Sequence, residues 1–159
     1  MTQTELIAAM EAYGPMVYRL ALCRMQNTAD AEDVYQDVFL RLLQQKLPCS
    51  DPEHTKAWLI RTTLNRCADI GRFRLRRPAI PLEEAAELAS PPSPQDSALW
   101  DAVSGLPVKF RLVIHLHYAE GYSTKEIAAL LSIPPATVRT RLRRGREKLK
   151  QILGGDHDA

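Results

Sequence analysis

The chain has 159 residues, 45% of them hydrophobic and 25% charged, with a net charge of +2. That balance excludes an intrinsically disordered chain and fits one ordinary domain or two small ones. No apolar run nears the ~20 residues that span a bilayer, and residues 1–5 lack the basic start and apolar stretch of a signal peptide, so the expectation is a soluble, cytoplasmic protein.

Helical periodicity dominates from the first residues. Leu6 to Arg24 reads as one helix, or as two interrupted near Gly14-Pro15. Asn27-Thr28 or Asp30 can cap the next helix, where Val34, Tyr35, Val38, Phe39, Leu42 and Leu43 recur at three- and four-residue steps. It should stop before Pro48, because proline disfavours helix in the residue ahead of it. Residues 49–55 read as a polar turn. A long helix follows over residues 56–76, with Trp58, Leu59, Thr62, Cys67 and Ile70 as buried positions. Residues 78–97, "PAIPLEEAAELASPPSPQDS", hold five prolines and only acidic charge, the composition of an extended linker. Order resumes with a short helix over residues 99–106. Another starts at Pro107, burying Phe110, Val113, Ile114, Leu116 and Tyr118, and ends at Gly121. Ser123 caps residues 124–131, with Glu126 as its capping-box partner. After Ser132-Ile133-Pro134, the last helix opens at Pro135 or Ala136 and reaches Leu153 before Gly154-Gly155. The fold class is therefore all-α: two small helical domains, 1–77 and 98–154, joined by a linker over 78–97.

The small net charge conceals segregation. Residues 61–77 carry six arginines against Asp69, residues 78–105 carry five acids and no base, and residues 106–159 carry ten basic and five acidic groups. Two cationic patches separated by an acidic segment point to two surfaces for polyanions. On the last helix, at about 100° per residue, Val138, Leu142, Gly145, Leu149 and Ile152 form one narrow apolar face. The opposite face presents Arg139, Thr140, Arg143 and Arg144, with Arg146 and Lys150 beside it. Two short helices, a tight turn, and a second helix apolar on one side and basic on the other make a helix-turn-helix, whose second helix enters the DNA major groove. Arginine bonds guanine bidentately or clamps phosphate. Thr137 and Thr140 are placed to bond a base or a phosphate.

Residues 106–149, "LPVKFRLVIHLHYAEGYSTKEIAALLSIPPATVRTRLRRGREKL", resemble region 4 of bacterial sigma factors, specifically the extracytoplasmic-function group. Independently, "DAEDVYQDVFLRLL" (residues 30–43) and "AWLIRTTLNRCADIGRFRLRR" (residues 57–77) are similar to region 2 of that family. The resemblance implies that the first domain docks on a helical coiled coil of core RNA polymerase through Asp33, Gln36 and Asp37, and melts the −10 promoter element. It implies a flipped base under the loop at residues 48–55, with Lys56, Arg61, Asn65 and Arg66 holding the single strand. Taking a base out of the stack costs a few kcal/mol, which such a pocket must offset. The second domain would read the −35 element through Thr137, Arg139, Thr140, Arg143 and Arg144. Core RNA polymerase, promoter DNA and an anti-sigma factor are the implied partners. Pro134-Pro135-Ala136 departs from the glycine-containing turn usual in the family, and Arg143 stands where smaller or apolar residues are common.

Two rivals explain less. A free-standing helix-turn-helix regulator binding duplex DNA as a dimer accounts for the last helix but not for residues 30–43 or the arginines of 61–77. An enzyme would need ligands or a nucleophile that the spacing does not supply: Asp30, Glu32, Asp33 and Asp37 lack facing histidines. His115 and His117 lie on different helix faces and read as packing or surface residues. Cys23, Cys49 and Cys67 contain no CxxC and read as reduced thiols, so no metal, cofactor or catalytic residue is expected.

Overall fold

In the computed structural model, residues 2–45, 51–74 and 97–154 are described. They form seven helices and one π-helical segment: α1 (Gln3–Met25), α2 (Thr28–Gln44), α3 (Pro52–Arg74), α4 (Ser97–Ser104), α5 (Val108–Ile114, continued by the π segment His115–Ala119), α6 (Thr124–Leu131) and α7 (Pro135–Gly154). No strand occurs among the described residues. They fall into two compact units, one built of α1–α3 and one of α4–α7. The linker expected over residues 78–97 lies almost wholly outside the described residues, α4 beginning at its last position.

The first unit is three helices around one core. α1 opens with a capping box, Thr2 accepting from Glu5 N–H while the Glu5 side chain accepts from Thr2 N–H. It runs unbroken through Gly14-Pro15, so the choice between one helix and two resolves to one. Two local facts permit this. Gly14 has no Cβ to collide with the proline ring, and Pro15 is exposed, leaving the carbonyl it displaces in reach of water. Gly14 also answers a packing demand: a Cβ there would lie 2.8 Å from the Tyr35 hydroxyl on α2. Val17, Leu20 and Ala21 then pack with Ala31, Val34, Val38 and Leu42 of α2 and Leu59, Ile60 and Cys67 of α3, all at 0–1% exposure. Each large aliphatic side chain so buried contributes roughly 1.5–3 kcal/mol.

Asn27 is the cap of α2, its side chain accepting from Asp30 N–H at 3.1 Å. Leu43, expected inside, is exposed. α3 begins at Pro52, a full turn ahead of the expected Lys56. Asp51 Oδ1 accepts from the Glu53 and His54 N–H groups at 3.1 and 3.4 Å, and Pro52 takes the first helical position, where its missing N–H costs nothing. The polar turn expected over residues 49–55 is thus helical from Pro52, and residues 46–50 lie outside the description. The face of α3 is also rotated from expectation: Ile60 and Thr63 are buried, while Trp58, Thr62 and Ile70 are half-buried. The Thr63 hydroxyl, at 0% exposure, donates to the Leu59 carbonyl at 2.6 Å, which is how a polar group enters this core at little cost.

The second unit is built from shorter pieces. Val103, Leu106, Phe110, Val113, Ile127 and Leu142 are among its core residues. Arg111 is buried too, and one guanidinium N–H donates to the Leu106 carbonyl at 2.8 Å, closing the turn between α4 and α5. At His115 the helix widens to π geometry, with Glu120 N–H bonding the His115 carbonyl at 3.1 Å. This widening buries His115 and Leu116 while Tyr118 turns out to 54% exposure, contrary to the inward position expected for it. His115 packs edge-on to Trp100, and His117 Nδ1 meets the Tyr122 carbonyl at 2.7 Å. His115 Nε2 also lies 3.3 Å from the buried Glu120 Oε1, and His117 is half-buried at the edge of a groove beside α7. Gly121 ends this stretch at φ +77°, a conformation that side-chain-bearing residues resist.

Candidate nucleic-acid interface and acidic helix face

α6 and α7 form the helix-turn-helix. The Ser123 side chain accepts from Glu126 N–H at 3.1 Å and Ser123 N–H is returned to Glu126 Oε1 at 3.0 Å, the capping box the sequence announces. α6 ends on Ser132 at φ 56°, in the left-handed region without a glycine. That strain costs on the order of 1–2 kcal/mol and is offset by the bonds it sets up, Ser132 N–H and Ile133 N–H both reaching the Ala128 carbonyl. Pro134 and Pro135 therefore stand after the left-handed residue, where a glycine-containing turn is not needed.

On α7, Val138, Leu142, Gly145 and Leu149 face inward as expected, whereas Ile152 at the helix end is 45% exposed. Gly145 marks the closest approach: a Cβ there would lie 3.1 Å from Ile114 Cγ1 and 3.5 Å from Phe110 Cβ. On the outer side Arg139, Arg143 and Arg144 are exposed, and Thr137 and Thr140 are half-buried at the margins. The structure thus brings all five predicted positions onto the outward half of one rigid helix. Two open grooves flank them. One is lined by Lys109 and Phe110 of α5 and by Thr137, Thr140, Arg141 and Arg144 of α7; the other by Thr124, Arg139, Arg143 and Arg146. Lys109 was not singled out from the sequence because the proximity of α5 to α7 is a tertiary fact, and Arg141 was not because it borders the apolar stripe, where it is half-buried. Arg146 N–H donates to the hydroxyl of the outward Tyr118 at 3.2 Å. Arg139, Arg143 and Arg144 make no ion pair among the described residues.

In the first unit, Asp33 and Gln36 are exposed on the outer face of α2 with Asp37 half-buried beside them. Leu40 extends this face at 56% exposure. Asp37 Oδ2 is 3.1 Å from Arg41 Nε and 3.0 Å from Arg66 Nε, the second contact joining α2 to α3. Of the four residues expected to hold a single strand, Arg61 and Asn65 share an exposed face of α3, Lys56 is half-buried farther round the helix, and Arg66 turns to Asp37. The structure does not gather the four into one cluster. No sequence signal marks the Asp37–Arg66 pair, whose members lie on different helices. No group of three or more His, Cys, Asp or Glu side chains among the described residues is placed to hold a metal ion, and no helix among them is long and apolar enough to cross a membrane.

Residues 9–77 match the family model for Sigma-70 region 2, and residues 96–149 match that for Sigma-70 region 4. The chain is 35% identical to the ECF RNA polymerase sigma factor SigE of Mycolicibacterium smegmatis over 86% of its own length and 57% of that protein's. It spans little more than half of that relative. It is 30% identical to the ECF RNA polymerase sigma factor SigW of Bacillus subtilis, over 91% of this chain and 86% of the relative. Its fold matches that of the sigma factor RpoE of Bartonella quintana, solved in complex with the anti-sigma factor NepR, with a TM-score of 0.71 at 23% identity, covering 94% of this chain and 97% of that one. Region 2 followed by region 4, carried through nearly the whole of a compact relative, makes this chain a member of the extracytoplasmic-function sigma factors of bacterial RNA polymerase.

Proposed function

We propose that the chain works as a promoter-specificity factor: it docks on core RNA polymerase, and the assembled enzyme starts transcription at promoters this chain selects. The observation that carries the reading is the pairing of an acidic helix face in one unit with an arginine-rich recognition helix in the other, in the order of the sigma regions. Asp33, Gln36 and Asp37 are the groups for docking, since carboxylates on a rigid helix meet basic groups of a partner with little ordering cost. Thr137, Arg139, Thr140, Arg143 and Arg144 read the −35 element, with the exposed guanidinium groups dividing between base edges and phosphates. Lys56, Arg61 and Asn65 hold the melted −10 strand, whose recognition uses backbone charge and a base taken from the stack. Arg66, already engaged by Asp37, is not among these.

The chemistry of RNA synthesis belongs to the polymerase, and the chain supplies no catalytic group and no cofactor. Its place of work is the cytoplasm, where the polymerase acts. The complex of the Bartonella protein with NepR supports an anti-sigma partner for this chain too. In vitro transcription from a fragment library, with core RNA polymerase present and the chain added or withheld, tests the reading. New start sites sharing an upstream and a downstream element, present only with both components, are expected. Sequence-specific duplex binding by the chain alone, as a dimer and with no new start sites, would replace this reading with that of a free-standing regulator.

A further inference from the structure

Asp37 stands between two guanidinium groups. Arg41, one turn along α2, reaches its Oδ2 atom at 3.1 Å, and Arg66 reaches the same oxygen from α3 at 3.0 Å. Asp37 Oδ2 and Arg66 Nε are both shut off from water, and neither has an aligned hydrogen bond. The contact is therefore a charge pair held in a confined space, not a directed bond. The Asp37 and Arg66 side chains as wholes are still 32% and 34% exposed, so the Asp37 side chain stays partly open to a partner while one oxygen is pinned. Asp33 and Gln36, its neighbours on the same face, are exposed.

Exposed ion pairs contribute little to folding, but pinning has a separate effect on binding. A side chain already fixed in one rotamer loses less freedom when a partner arrives, which is the general gain from preorganisation. Arg66 is adjacent in sequence to Asn65, yet one side chain faces α2 and the other faces solvent. Resting on the docking role of the α2 face, we infer that Arg66 is a positioning residue for that face: together with Arg41 it fixes Asp37 in the orientation met by core polymerase, and it acts on promoter opening only through docking. This moves a cation of α3 from the DNA side of the machinery to the polymerase side.

The test is a double-mutant cycle in the full chain, reading affinity for core RNA polymerase in solution. Arg66→Gln is expected to weaken binding about three- to fivefold, in line with the size of such pairs. In an Asp37→Asn background the same change should add no further loss. Arg66→Lys should recover part of the affinity, because an ammonium supplies charge without the planar fork. With polymerase at saturating concentration, Arg66→Gln should leave open-complex formation unchanged on a promoter fragment recovered by the transcription assay. An equal affinity loss in both backgrounds would mark a purely structural role and overturn the inference. So would full polymerase affinity accompanied by lost open-complex formation, which would return Arg66 to the strand. Asp33→Asn and Gln36→Ala separate the two levels. If neither weakens polymerase binding, the docking reading falls and the inference with it. If both weaken it and Arg66→Gln does not, docking stands and the inference alone fails.

Discussion

In the first unit Asp37 is flanked by Arg41 and Arg66, and Asp69 is paired with Arg72. In the second, Arg139, Arg143 and Arg144 stand exposed on α7 without an acidic partner among the described residues. Neutralised charges reach a partner as shape and orientation, because their long-range field is largely cancelled. Unpaired arginines keep their field and attract a polyanion at a distance, with the steep salt dependence of counterion release. The difference fits the proposed roles, in which the first unit docks on polymerase and holds the melted strand while the second reads duplex DNA. The units also differ in construction: the first has 23-residue helices at α1 and α3, while the second surrounds its 20-residue α7 with helices of 7 and 8 residues and a π segment. Short elements place α7 by contact with several neighbours at once, so its position depends heavily on packing.

The largest effect should come from removing that packing. Leu142→Ala deletes a side chain at 2% exposure under the recognition helix and is expected to cost about 2–5 kcal/mol in the second unit. Thermal unfolding followed by circular dichroism and by amide exchange should show exchange accelerating in α5–α7 while α1–α3 stay protected. Uniform loss across both units would show that they do not unfold independently.

Gly145→Val should come next, at about 1–3 kcal/mol, because branched atoms are forced against Ile114 and Phe110. Gly14→Ala in the first unit meets the movable end of the half-buried Tyr35 ring and adds the Cβ that crowds Pro15, and with no branched atoms it should cost less than Gly145→Val. Denaturant midpoints of the two variants measure the contrast directly.

Arg144→Ala should weaken duplex binding by the assembled polymerase about tenfold and lower the salt slope by about 1 if the group meets a phosphate. An unchanged slope with altered sequence preference would instead mark a base contact. Asp33→Asn should leave that slope unaltered.

The capping boxes offer a smaller comparison. Ser123→Ala removes a cap inside the helix-turn-helix and should cost about 1 kcal/mol. Thr2→Ala removes the same motif from an exposed first turn of α1, which has less packing to lose.

At neutral pH the smallest effect on stability concerns Cys67. Burial, acting first, pushes its thiol up from 9.0 to about 12. A raised pKa means that the folded state holds the proton more firmly than the unfolded one. Stability from this group is therefore complete below pH 9 and declines as pH rises from about 9 towards 12. At neutral pH a thiol reagent should modify the half-buried Cys23 well before Cys67, as peptide mass mapping would report.

What the sequence by itself determined is local or periodic. The Ser123–Glu126 box is legible because an N-cap and its partner lie three residues apart. The inward stripe of Val138, Leu142, Gly145 and Leu149 is legible because helical geometry alone sets which positions share a face. The outward arginines follow as the complement of that stripe, and helix order follows from the same periodicity. Tertiary structure decided whatever depends on which elements meet. Gly14 and the exposure of Pro15 permit a continuous α1, and the burial of Val17, Leu20 and Ala21 beyond it offsets the missing hydrogen bond. The buried face of α3 turned to Ile60 and Thr63 because α1 and α2 cover it there. Tyr118 turned outward because the π segment shifts the register of α5. Arg66 met Asp37 because α3 lies beside α2. Short-range hydrogen bonding is written in residue spacing, but a contact across elements is fixed only when whole faces are buried together.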